Sequence, residues 1–134
     1  MKARIFSLFI ILAAISFFAS CGEDDPIIQE DPRDSYLGVW SVNEDCQRLN
    51  YDVNITYDPD NSSQVLIENF ANPGPDYDPV TALVVDDRIF VSQQTVGDNW
   101  TVSGDGTLTD GKIEWEYELI IGGNLYQCSA TYSK

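Results

Sequence analysis

Twenty-two carboxylates and three cysteines, Cys21, Cys46 and Cys128, are the side chains best equipped for chemistry, and no histidine accompanies them. Histidine is the usual general base near neutral pH, so Ser-His-Asp and Cys-His catalysis are excluded. A pair of carboxylates can hydrolyse glycosides unaided. The close pairs here, Asp76-x-Asp78 and Asp86-Asp87, fall where turns are expected, and Asp serves turns through local hydrogen bonding alone. Asp58-Pro59-Asp60-Asn61-Ser62 alternates its polar ligands as calcium loops do. Its sixth position is Ser63 rather than Gly and its twelfth is Asn69 rather than Glu, so the EF-hand pattern fails and a turn is the better reading. Two cysteines without histidine do not complete a tetrahedral zinc shell. The expectation is a noncatalytic protein with no metal and no cofactor.

The elements that must position these residues are strands. From Tyr36 onward the apolar residues recur with period two between turn residues, and no helical period of useful length competes. Strands are predicted at 36–43, 51–57, 64–70, 80–85, 88–93, 100–109, 112–121 and 125–132. Ile113, Trp115, Tyr117, Leu119 and Ile121 alternate with Lys112, Glu114, Glu116 and Glu118, so one face is buried and the other charged. Asp86-Asp87, Asp110-Gly111 and Gly122-Gly123 supply residues tolerant of φ > 0 for two-residue turns. All six prolines lie outside the strands, as the missing ladder donor requires. Gly104-Asp105-Gly106, inside the sixth strand, predicts a bulge. Eight sequential antiparallel strands lose their edges by closing into an up-and-down barrel.

The first twenty residues have a different character. Lys2 and Arg4 precede an uncharged run from Ile5 to Ala19, too short for a span of about 20 apolar residues and matched to an export leader ending at small residues. Phe18-Ala19-Ser20-Cys21 resembles the lipobox of bacterial lipoproteins, with Phe18 where Leu is commoner. The resemblance implies that Cys21 becomes the first mature residue and carries a diacylglycerol thioether and an amide-linked acyl chain, making membrane lipid its partner. Gly22-Glu23-Asp24-Asp25 resembles the acidic export tag of Bacteroidota-type lipoproteins, which implies the outer face of the outer membrane; a periplasm-facing solvated tether is the alternative. The expected organisation is a signal peptide at 1–20, an acidic tether at 21–35 and one domain at 36–134. With 1–20 removed, five cations face 22 acids for a net charge of −17. Nucleic-acid binding, which depends on clustered Lys and Arg, is thereby excluded.

Cys46 and Cys128 remain as an even pair in an exported chain and are expected to form a disulfide. In a closed meander the first and last strands are antiparallel neighbours, so Cys46 opposite Cys128 places Val42 opposite Tyr132. Gly38-Val39-Trp40 resembles the G-x-W of lipocalin-like barrels, whose tryptophan plugs the closed end, and the chain is similar to small lipocalin-like lipoproteins of Bacteroidota. It lacks that family's second motif, its final helix, and the arginine that would stack on Trp40. The expected fold is all-β: an antiparallel, up-and-down, eight-stranded lipocalin-like β-barrel with one disulfide.

Such a barrel either fills with side chains or holds one small ligand. Inward aromatics are predicted at Trp40, Tyr51, Trp115, Tyr117, Tyr126 and Tyr132. If a small apolar or amphipathic ligand is bound, Trp40, Trp115, Tyr117 and Tyr77 are the candidate contacts. The alternative is a filled barrel acting as a structural or protein/glycan interaction module. Loops after odd-numbered strands (44–50, 71–79, 94–99, 122–124) are predicted to lie opposite the tether, and the 71–79 loop presents Tyr77 between prolines.

Overall fold

The computed structural model describes Gly22 and residues 26–134; residues 1–21, on which the expected signal peptide and the Cys21 lipidation site fall, and residues 23–25 lie outside the described residues. Eight antiparallel strands close into one barrel in sequential order: β1 (Gly38–Glu44), β2 (Asn50–Tyr57), β3 (Gln64–Glu68), β4 (Val80–Val85), β5 (Arg88–Gly97), β6 (Trp100–Thr109), β7 (Lys112–Ile121) and β8 (Asn124–Ser133). Closure is made by β1 on β8, with Val42 opposite Tyr132 as expected from the cysteine positions. Cys46 and Cys128 are disulfide-bonded, with their Cα atoms 5.1 Å apart.

On β7, alternation sends the apolar residues inward and the charges outward. Ile113, Trp115, Tyr117 and Leu119 of β7 are buried, and Glu114, Glu116 and Glu118 between them face water. That polarity is the inverse of a membrane-spanning barrel, which turns its apolar face to lipid. The tight turns adopt the backbone anticipated for them, with φ of 52° at Asp86, 53° at Asp110 and 55° at Gly122.

The bulge lies on a different strand from the one expected. β6 pairs with β7 in unbroken register through Gly104 and Gly106, whereas β5 shifts against β6 between Val91 and Gln94 and again between Thr95 and Gly97. The extra residues switch the inward parity of β5 from odd (Ile89, Val91) to even (Val96). The two glycines serve close approach instead. A Cβ on Gly104 would overlap Tyr117 Cβ and the Glu116 carbonyl, and one on Gly106 would meet the Trp115 ring at 2.9 Å. Their strand gives up side-chain volume so that two neighbouring aromatics can fill the interior.

Other boundaries move as well: β5 runs on to Gly97, so most of the expected 94–99 loop is strand, and the close of β1, the start of β2 and both ends of β8 shift by one residue. β1 begins at Gly38, because Pro32–Ser35 forms a 3-10 turn capped by Asp31 and ended by Tyr36. That turn brings residues 31–35 into the folded body. The Arg33 guanidinium is buried, donates to the carbonyls of Asn61 (3.3 Å) and Gln64 (3.2 Å), and lies over the Tyr57 ring. The docked structure therefore starts at Asp31 rather than at residue 36. Finally, β3 ends at Glu68 instead of reaching Phe70. Asn69, Ala71 and Asn72 all take positive φ, which breaks the strand and turns Phe70 inward.

Tyr36 donates to the Asp86 carbonyl and Tyr57 to the Asp34 carboxylate, so residues 31–36 close the end carrying the β2–β3 and β4–β5 turns. The connections after β1, β3, β5 and β7 lie at the other end, as predicted from the strand count, although the one after β5 is only residues 98–99 where 94–99 was expected.

Candidate functional site

Three of the four candidate ligand contacts are packed into the core. Trp40 and Trp115 are each 1 % exposed and Tyr117 is 3 % exposed. Trp40 Nε1 donates to the Tyr36 carbonyl at 2.7 Å, and Lys134 Nζ sits 4.3 Å above its ring while donating to the Leu37 carbonyl. Lys134 was not singled out from the sequence, where only an arginine was sought over Trp40.

Trp115 and Tyr117 are covered by the β3–β4 loop. Phe70 enters the barrel and meets Trp115 edge-on at 5.0 Å between ring centroids and Tyr117 at 5.2 Å, while Tyr132 packs on the other side of Trp115. Asn69 holds the loop in this position. Its amide donates to the Asp52 carbonyl at 3.1 Å, and its side-chain oxygen accepts from Gly74 N–H at 3.1 Å. Tyr126, expected inward, is 45 % exposed. Its half of β8 extends past the end of β1 at Glu44, so no strand of the barrel closes over that side chain.

Tyr77, the fourth candidate, does not join the others. It stands on the outer side of the same loop, its hydroxyl 3.3 Å from the Asp98 carboxylate, and helps to form a groove of about 460 Å³ against the outer face of β1 and β2. Val39, Pro75 and Pro79 line one part of this groove, and Asp52, Asn54 and Glu68 another. The two carboxylates are oriented by neighbours, Asp52 accepting from Ser41 Oγ (3.0 Å) and Glu68 from Asn54 Nδ2 (3.2 Å). A flat aromatic wall beside fixed acceptors suits a polar partner carrying hydroxyl or amine donors.

A second cluster lies inside the barrel, at the end opposite residues 31–36. Glu44 occupies the inward phase of β1 set by Trp40 and Val42 and is only 2 % exposed. Tyr117 donates to its Oε1 at 2.6 Å, whereas Glu44 Oε2, Tyr51 Oη and Trp115 Nε1 have no hydrogen-bond partner among the described residues. Burial raises the hydroxyls of Tyr51, Tyr117 and Tyr132 above the ordinary tyrosine range, and Glu44 adds to the effect on each. Next to the cluster, Asp45 clasps β1 to β8 by accepting from the backbone N–H and the hydroxyl of Ser129, both at 2.8 Å. Those bonds hold the Asp45 carboxyl below its usual value. A carboxylate oxygen of Glu44 lies within 4.8 Å of both disulfide sulfurs.

No family model, curated protein or solved structure matches the chain.

Glu44 was not among the residues singled out from sequence. The signal was its parity: two steps beyond Val42 and four beyond Trp40, it stands on the core face. The first strand was expected to stop one residue earlier, which left Glu44 in a loop.

Proposed function

We propose that the chain is a lipid-anchored cell-envelope lipoprotein, held at the outer membrane by acyl chains on Cys21. Its noncatalytic, lipocalin-like barrel is a filled scaffold that serves as a structural or protein/glycan interaction module through its outward loops. The observation that carries this reading is Phe70, which occupies the space over Trp115 and Tyr117 where an internal ligand would lie. An internal apolar ligand would first have to displace that ring. The groove beside Tyr77 needs no such change and already combines an aromatic surface with carboxylate and amide acceptors.

The charge distribution supports a water-facing scaffold, since acids cover the outer faces and the net charge favours solubility. The placement of residues 31–36 supports an orientation. The link from Cys21 enters at the end where residues 31–36 dock, and the β3–β4 loop leaves from the other end. Two or more acyl chains hold a protein stably where a single chain does so only marginally.

Metabolic labelling with an alkyne fatty acid tests the anchor. The wild-type chain expressed in a bacterial host is expected to take up label and partition with membranes, and Cys21→Ala to lose both. Equal labelling of the two proteins would refute it.

A further inference from the structure

Glu44 raises a question that the filled-barrel reading does not answer. A carboxyl group taken out of water is costly unless its oxygens are satisfied, and Oε2 is both buried and unpartnered. The same group stands within 4.8 Å of two sulfurs contributed by the turn after β1 and by β8. An oxygen and two sulfurs at this spacing form a three-ligand set for a borderline-soft divalent cation once the sulfurs are thiolates. Two cysteines alone did not complete such a shell. Glu44 adds the third protein ligand, and a solvent molecule can fill the fourth position of a tetrahedral site.

We propose that Glu44, Cys46 and Cys128 form a redox-gated site for a zinc-class divalent cation, closed while the disulfide is intact and opened by a thiol reductant. The balance is simple. Two monothiols, or one dithiol, supply two electrons and two protons; the Cys46–Cys128 bond breaks to two thiols and the reductant becomes a disulfide. Cation binding then releases both thiol protons to solvent, forming two metal–sulfur bonds and one metal–oxygen bond to Glu44. Metal–sulfur distances of about 2.3 Å and metal–oxygen distances of about 2.0–2.2 Å require the sulfurs to separate moderately, to less than about 5 Å. The surroundings fit this role. Tyr117 donates to Oε1 and so orients the carboxylate, leaving Oε2 uncommitted, the kind of outer hydrogen bond that fixes a ligand's direction. Cys46 is only partly buried, which gives reductant and ion a route in. The cation would then bridge β1 to β8 in place of the covalent link.

Cobalt serves as the probe because its spectrum reports thiolate ligation and tetrahedral geometry directly. The full chain carrying Cys21→Ser, to remove the third thiol, is titrated with Co²⁺ in oxidised and phosphine-reduced forms, with circular dichroism followed alongside. The reduced form is expected to bind one equivalent with thiolate-to-cobalt charge-transfer bands, and the oxidised form none. Glu44→Gln should weaken binding at least about tenfold while retaining the strand spectrum, and Cys128→Ser should abolish the charge-transfer bands. Zn²⁺ should displace the cobalt. The proposal is overturned if the reduced, folded chain binds no stoichiometric ion, if Glu44→Gln binds as tightly as the parent, or if reduction unfolds the barrel and Co²⁺ does not restore it.

Discussion

At the scale of single residues, the chain's chemistry lies in a few polar groups enclosed by an aromatic core. Tyr51, Tyr117 and Tyr132 are raised in the fold mainly by burial, and Tyr36, also buried, is pushed up to about 12. A tyrosine whose folded value exceeds its unfolded value of about 10 contributes stability that is complete below pH 10 and is lost as the pH climbs toward the folded value. Each such group steepens the loss by up to ~1.4 kcal/mol per pH unit. Above pH 10, ionisation of these four hydroxyls is therefore expected to coincide with unfolding, so absorbance at 295 nm and near-ultraviolet circular dichroism should change together. Independent ionisation of all seven tyrosines well before the dichroism changes would contradict their burial. The inward positions of Trp40, Tyr51, Trp115, Tyr117 and Tyr132 were legible from period two alone. Lys134 was passed over because only an arginine was sought over Trp40, and Glu44 because the first strand was expected to end at Asn43.

At the scale of elements, the strands were legible and their irregularities were only partly so. Alternation located all eight, and the two-residue turns gave their order, because each tight turn leaves a neighbouring antiparallel pair as the natural outcome. The bulge was assigned to Gly104–Gly106 because glycine within a strand marks either a bulge or a close approach, and local sequence does not distinguish the two. The space taken by Trp115 and Tyr117 decides for close approach. Gly104→Ala should accordingly cost about 3 kcal/mol, since overpacking of this kind costs 1–3 kcal/mol or more and the obstacle includes the Glu116 carbonyl. Urea unfolding would measure it, and a cost below about 0.5 kcal/mol would mean that the strands separate easily there. The β3–β4 loop was recognised as stiff and exposed from its prolines, but its inward anchor was assigned to the preceding strand. Phe70→Ala should destabilise the barrel by about 3–5 kcal/mol, the range for a buried aromatic. An unchanged midpoint would show that Phe70 spends its time outside.

At the scale of the whole molecule, a domain of about 100 residues has a modest core, and three devices hold this one closed. The loop from β3 fills one end, residues 31–36 cover the other, and the disulfide, with a sequence separation of 82, joins the turn after β1 to β8 near where the sheet closes. The chain-entropy model gives such a link an upper figure of ~4–5 kcal/mol. The cysteine positions predicted the closing register because an eight-stranded meander leaves a single antiparallel partner for its first strand. Whether the interior would be filled or hollow was not legible, since aromatics line a cup as readily as they fill a core. The answer depends on where one loop places one ring. Titration of the wild-type chain with a fluorescent polyene fatty acid, read by quenching of Trp40 and Trp115, is the most direct test. A barrel plugged by Phe70 predicts no saturable binding to wild type and binding to Phe70→Ala, whose truncated loop opens the space above Trp115. One equivalent bound to wild type at micromolar or tighter affinity, with tryptophan quenching, would contradict the filled scaffold.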